Sequence, residues 1–108
     1  MPKHNKLVRD KILEIIEAAG KEAKWSILSD EEYIIELKMK LHEEVAEFEQ
    51  EEDTEKAVEE LADILEVVFA LSNAYGADDK RLLDMMKIKA AARGGFEKKV
   101  FLEEVEDE

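Results

Sequence analysis

An all-α, four-helix bundle-like domain is the fold class that this sequence predicts, and three observations predict it. Four segments carry apolar residues at intervals of three and four, the spacing of one helix face. Short stretches built on Gly20, Ser29, Asp53, Gly76 and Gly94-Gly95 punctuate them with helix-start and helix-stop chemistry. The 108 residues are 45% apolar and 42% charged, enough for a single core inside a densely charged surface.

A first helix is expected from about Val8 to Ala19, stopped by Gly20 in the left-handed cap position. Residues 21–28, "KEAKWSIL", form an extended connection that carries Trp25, the only tryptophan. Ser29 followed by Glu32 is an S-x-x-E capping box, and it opens a long second helix reaching about Glu51. Asp53 or Thr54 caps a third helix that ends before Gly76. Asp78 or Asp79 opens the fourth, which stops at Gly94-Gly95. In the tail "FEKKVFLEEVEDE", Val100, Phe101 and Leu102 are expected to pack down, leaving the acidic end loose.

Placed at 100° per residue, Ile34, Leu37, Leu41, Val45 and Phe48 form one apolar stripe on the second helix. Glu44 falls on its edge and Glu47 one step further round. On the third helix the stripe is Ala57, Leu61, Ile64, Val68, Leu71 and Tyr75, with Glu60 inside it and Asp63 flanking it. Val67, Phe69 and Ala70 cover the other faces, so this helix is apolar nearly all round. Burying it on every side in so small a chain calls for a second subunit, and a homodimer or homotetramer is expected. Leu82, Leu83, Met86 and Ala90 give the fourth helix its inward face, with Lys89 at the border and Arg93 within it.

The bulk composition narrows the function classes. A formal charge of −13 argues against nucleic acid as partner, since phosphate backbones are met by clustered Lys and Arg. No apolar run is long enough for a membrane span, and the basic start leads into a charged helix, so a cytoplasmic protein without a membrane partner is expected. Without cysteine there are no disulfides, thiolate nucleophiles or zinc–thiolate sites. One Gln and two Asn beside abundant Glu and Lys match the composition of heat-adapted proteins.

What stands out chemically is acid on inner faces: Glu44-x-x-Glu47 on the second helix and Glu60-x-x-Asp63 on the third. Residues three apart are neighbours on a helix surface, and a short connection makes the two helices antiparallel neighbours. Carboxylates converging in a partly dry cleft repel, and either protonation or a divalent cation relieves them. An all-oxygen set suits Mg²⁺ or Mn²⁺. Two blander readings stand beside this one: a solvated acidic face, and a structural ion pair in which Arg93 or Lys89 neutralises Glu60.

These residues also carry a resemblance. "LHEEVAEFEQ" followed by "EELADILEVV" resembles the E-x-x-E…E-x-x-D signature of the all-α nucleoside triphosphate pyrophosphohydrolases, the MazG-like superfamily, with twelve residues between Glu47 and Glu60. "NKLVRDKI" and "RGGFEKKVFLEEV" look like its small phosphoribosyl-ATP pyrophosphohydrolase-like branch, so the resemblance covers nearly the whole chain. It implies that Glu44, Glu47, Glu60 and Asp63 bind Mg²⁺, with Mn²⁺ as a substitute. The implied reaction is attack of water between the α- and β-phosphates of a nucleoside triphosphate substrate, giving monophosphate and pyrophosphate, in nucleotide-pool house-cleaning.

On this resemblance Glu47 is the expected catalytic base, and Lys89 and Arg93 are candidates to grip the phosphates. For Arg9 a phosphate contact and a local salt bridge are both open; Lys6 and Lys11 are expected to be solvated. Gly94-Gly95 reads first as a helix stop. Trp25 and Tyr33 are either base-stacking or core and interface residues, and His4 and His42 have no ligand-spaced partner. Two rivals remain: a phosphoribosyl-ATP pyrophosphohydrolase of histidine synthesis, and a non-catalytic acidic helical interaction module.

Overall fold

In the computed structural model, which describes residues 2–107, four helices follow one another: α1 (Ile12–Ala18), α2 (Asp30–Gln50), α3 (Thr54–Ala74) and α4 (Asp79–Arg93). The all-α, bundle-like class is the expected one. Three helices begin where an acceptor side chain satisfies the free amides of a first turn. The Ser29 hydroxyl accepts from the Glu32 amide at 3.2 Å, and the Glu32 carboxylate accepts from the Ser29 amide at 3.3 Å, closing the capping box. Asp53 accepts from the Lys56 amide at 3.0 Å, and Asp78 from the Arg81 amide at 2.8 Å.

α1 is shorter than expected, beginning at Ile12 instead of Val8. The residue at its start is Lys11, which offers no side-chain acceptor, so nothing holds an earlier turn. Gly76 ends the turn after α3 at φ 90°, where a side chain would be strained. Around it the Ser72 hydroxyl donates to the Ala77 carbonyl at 2.9 Å, and the Asn73 amide group donates to Asp79 at 2.8 Å. These bonds set the direction in which α4 leaves α3.

The tight packing is between α2 and α3, joined by the three residues 51–53. Leu37, 3% exposed, and Val67 are its most buried apolar side chains; burying a side chain of this kind contributes about 1.5–3 kcal/mol. Among the shielded positions, one run on each helix steps by three and four in alternation: Ile34, Leu37, Leu41, Glu44 and Phe48 on α2, and Ala57, Glu60, Ile64, Val67, Leu71 and Ala74 on α3. Such a mean period of 3.5 belongs to a coiled-coil seam. The expected stripe on α3 is corrected in part: Leu61 and Tyr75 are exposed and Val67 is buried, while Glu60 lies on the inner side as expected. Glu44, expected at an edge, stands in the seam itself, 8% exposed.

Beyond this hairpin the chain is open. α4 touches α3 but has only Leu82 and Asp84 half-buried, so Leu83 and Met86 of its expected inner face remain exposed. α1 packs against no other helix. Val100, Phe101 and Leu102 do not pack down; Phe101 is 87% exposed. The radius of gyration is 18.6 Å, against about 13 Å for a compact domain of this length.

Candidate metal centre

Glu44 and Glu60 each occupy a place in the seam where the pattern around them supplies Leu, Ile, Val or Ala. Glu47 lies one turn beyond Glu44 at the exposed edge of the hairpin. One carboxylate oxygen from each of the three lies within 4.8 Å of the others. Glu44 Oε2 and Glu60 Oε2 are both shielded from solvent and have no hydrogen-bond partner. An ionised carboxylate in such a place is costly unless something positive or a proton compensates it.

The titration behaviour follows from that geometry. Desolvation pushes the Glu44 carboxyl up, the Glu47 charge pushes it further, and a hydrogen bond from Glu60 partly offsets both. Desolvation also raises Glu60, together with its hydrogen bond to Glu44 and the neighbouring Glu47, to about 7. The hydrogen bond lowers one partner and raises the other, as expected when Glu60 carries the proton and donates it to Glu44. The facing pair therefore retains a proton into the neutral range when no cation is bound.

Two basic side chains border these acids. Lys40, one turn before Glu44, is 3.8 Å from Glu44 Oε1 and 3.6 Å from Glu43, leaving Glu44 Oε2 unpartnered. Its i, i+4 spacing to Glu44 was a legible signal that the inner-face analysis missed. Arg9, from the segment before α1, donates to Asp63 Oδ1 at 2.7 Å and lies 3.8 Å from Glu66. Of the two readings open for Arg9, this is an ion pair, though with α3 and not with a neighbour close in sequence. Asp63 is thereby engaged by a guanidinium, outside the three-carboxylate group.

Lys89 and Arg93 occupy the exposed last turns of α4, and among the described residues neither forms a salt bridge. Neither neutralises Glu60. Tyr33 is half-buried near the start of α2, and Trp25 is exposed in the connection before it.

The donor set suits a hard divalent cation: three carboxylates, no sulfur or imidazole, and two oxygens with no other partner. No family model, curated protein or solved structure matches the chain. What the site can do follows from its own atoms.

Proposed function

We propose that the chain is a Mg²⁺- or Mn²⁺-dependent nucleoside triphosphate pyrophosphohydrolase of the MazG-like kind. The observation that carries this reading is the pair of shielded, unpartnered oxygens on Glu44 and Glu60, facing each other with Glu47 beside them. Glu44 and Glu60 hold the cation from inside the seam, where low dielectric strengthens their attraction for it. A divalent cation bound there supplies charge neutralisation for the phosphoryl oxygens of a nucleotide.

Glu47 sits at the exposed edge, where water reaches it, and accepts the proton of the attacking water. The water oxygen bonds to the α-phosphorus, the bond from that phosphorus to the bridging oxygen breaks, and pyrophosphate leaves. Nothing in this reaction requires a covalent enzyme intermediate, which accords with a chain lacking cysteine and a serine beside the acids.

A homodimer or homotetramer is part of the same proposal. Ile35, Met39, Val58 and Leu65 expose apolar surface on the outer sides of the hairpin, which a second copy would cover. Sedimentation at micromolar concentration is expected to give a dimer or larger species, and a monodisperse monomer would remove this part.

The enzymatic test is release of pyrophosphate from a panel of nucleoside triphosphates and phosphoribosyl-ATP, with Mg²⁺, with Mn²⁺ and with chelator. Glu60→Gln is expected to lower kcat about a hundredfold or more while helicity is unchanged. Hydrolysis that survives both chelator and this substitution would end the assignment.

A further inference from the structure

The cations expected on α4 face solvent, yet one arginine lies against the acidic face of α3. The segment before α1 is basic in an otherwise acidic chain, with Lys3, Lys6, Arg9 and Lys11 against a single acid, Asp10. Arg9 fastens it to α3 through Asp63 at 2.7 Å and Glu66 at 3.8 Å. Asp63 stands one helical turn from Glu60, so this guanidinium sits at the border of the carboxylate group. Among the described residues its partners are exposed: the side chains of Arg9, Asp63 and Glu66 are 58%, 40% and 66% accessible.

We propose that Arg9 is an exchangeable counter-ion that passes from Asp63 to the polyphosphate chain of the substrate when that substrate reaches the carboxylates. This rests on the cation-and-polyphosphate reading of the site. An exposed ion pair is held by a factor of about five at most, so a better anion displaces it. A polyphosphate is a better anion: it carries more charge than one carboxylate and accepts the guanidinium fork on two oxygens. Lys40 cannot take this part as readily, because it is half-buried and pinned between Glu43 and Glu44. The exchange also frees Asp63, which joins the other three acids only after substrate has claimed Arg9. Arg9 therefore acts first as a restraint on the fourth carboxylate and then as a phosphate contact.

The test uses the full chain, Mn²⁺ and inorganic tripolyphosphate, which together separate binding from nucleotide hydrolysis. Calorimetry is run on the wild type, Arg9→Ala, Arg9→Lys and Glu66→Gln, with circular dichroism confirming that each is folded. Arg9→Ala is expected to bind Mn²⁺ alone up to about five-fold more tightly and Mn²⁺-tripolyphosphate about ten-fold or more weakly. Arg9→Lys should fall between, since it keeps the charge and loses the fork, and Glu66→Gln should stay within about two-fold of wild type. In the wild type, with diamagnetic Mg²⁺ in place of Mn²⁺, the Arg9 side-chain NMR signal should shift on adding tripolyphosphate.

Tripolyphosphate affinity in Arg9→Ala within two-fold of wild type, with an unmoved Arg9 signal, would show a mere strut and overturn the exchange. A wild type that binds no Mn²⁺ at millimolar concentration overturns both the exchange and the centre. The expected binding pattern with no pyrophosphate release from any nucleotide supports the exchange and ends the hydrolase assignment alone.

Discussion

Replacing Glu44 by leucine should make the protein more stable and abolish its response to divalent cations. The position is 8% exposed in a seam whose neighbouring layers are apolar, so a leucine there gains about 1.5–3 kcal/mol of burial. Against this stands the contact to Lys40 at 3.8 Å, an i, i+4 pair worth about 0.3–0.5 kcal/mol. At pH 7.5, above the Glu60 value of about 7, the proton that Glu60 shares with Glu44 is mostly released, so little is lost with that contact and the repulsion between the two carboxylates is relieved. The net gain is about 1–2.5 kcal/mol, which for a chain near 100 residues is about 4–10 °C in Tm.

Thermal melts at pH 7.5 in chelator, at one fixed protein concentration, measure it; concentration must be held because association shifts Tm. In saturating Mn²⁺ the order should reverse. The wild type gains about 2.7 kcal/mol at a hundredfold excess over Kd, whereas Glu44→Leu gains nothing. A Glu44→Leu protein that melts below wild type in chelator would show that Glu44 is a satisfied structural group, and the reasoning from an uncompensated carboxylate would fail.

The raised carboxyl of Glu60 gives a pH dependence of definite sign. Between its ordinary value near 4.5 and about 7, the folded state holds a proton that the unfolded chain has released. Stability without divalent cation should therefore fall as pH rises across that window. Tm in chelator is expected to be higher at pH 5 than at pH 8, and Glu60→Gln should flatten the difference; a flat wild-type profile would refute the shared proton. Saturating Mn²⁺ should remove the disadvantage of the higher pH, because the cation takes the place of that proton.

Helix limits were legible wherever a side chain caps a helix and illegible where none does. Ser29, Asp53 and Asp78 each hold a free amide of the first turn. The start of α1 has only Lys11, and four residues read as helix lie outside it. The tail was misread for another reason: Phe101 and Leu102 have the composition of a packing segment, but they stay exposed, with no surface of the chain covering them. Apolar content says that a residue gains by burial, not where the covering surface comes from.

The site was legible in its residue types and blurred in its geometry, and the blur has a specific origin. The apolar stripe of α3 runs through Leu61, Val68 and Tyr75, whereas the side that meets α2 carries Glu60, Val67 and Ala74, one residue and so about 100° round the helix. The period is the same in both sets; what differs is which face the partner helix covers. On α2 the same one-residue step separates Val45 from Glu44. A pattern read from an isolated helix therefore puts one of the two acids at an edge, whereas the paired helices set both in facing interior places. Asp63 shows the converse limit. Its spacing from Glu60 matches that of Glu47 from Glu44, but an arginine 54 residues away in sequence holds it, and no periodicity within α3 encodes that partner.

Acids three apart are common in this chain, and most face water. Glu14 and Glu17, Glu52 and Glu55, and Glu103 and Glu106 share the spacing of the candidate ligands and are exposed. High dielectric and salt screen such groups, so their affinity for a cation is slight. What separates Glu44 and Glu60 is their place in the α2–α3 interface, the most tightly packed part of the chain. Excluding water there raises the cost of their charge and, in the same measure, the attraction that a cation would feel. In the proposed centre, exposed Glu47 and a displaceable Arg9 at the rim would keep the carboxylates open to water and phosphate. If the seam were made wholly apolar the hairpin would be firmer, and nothing in it would attract a cation.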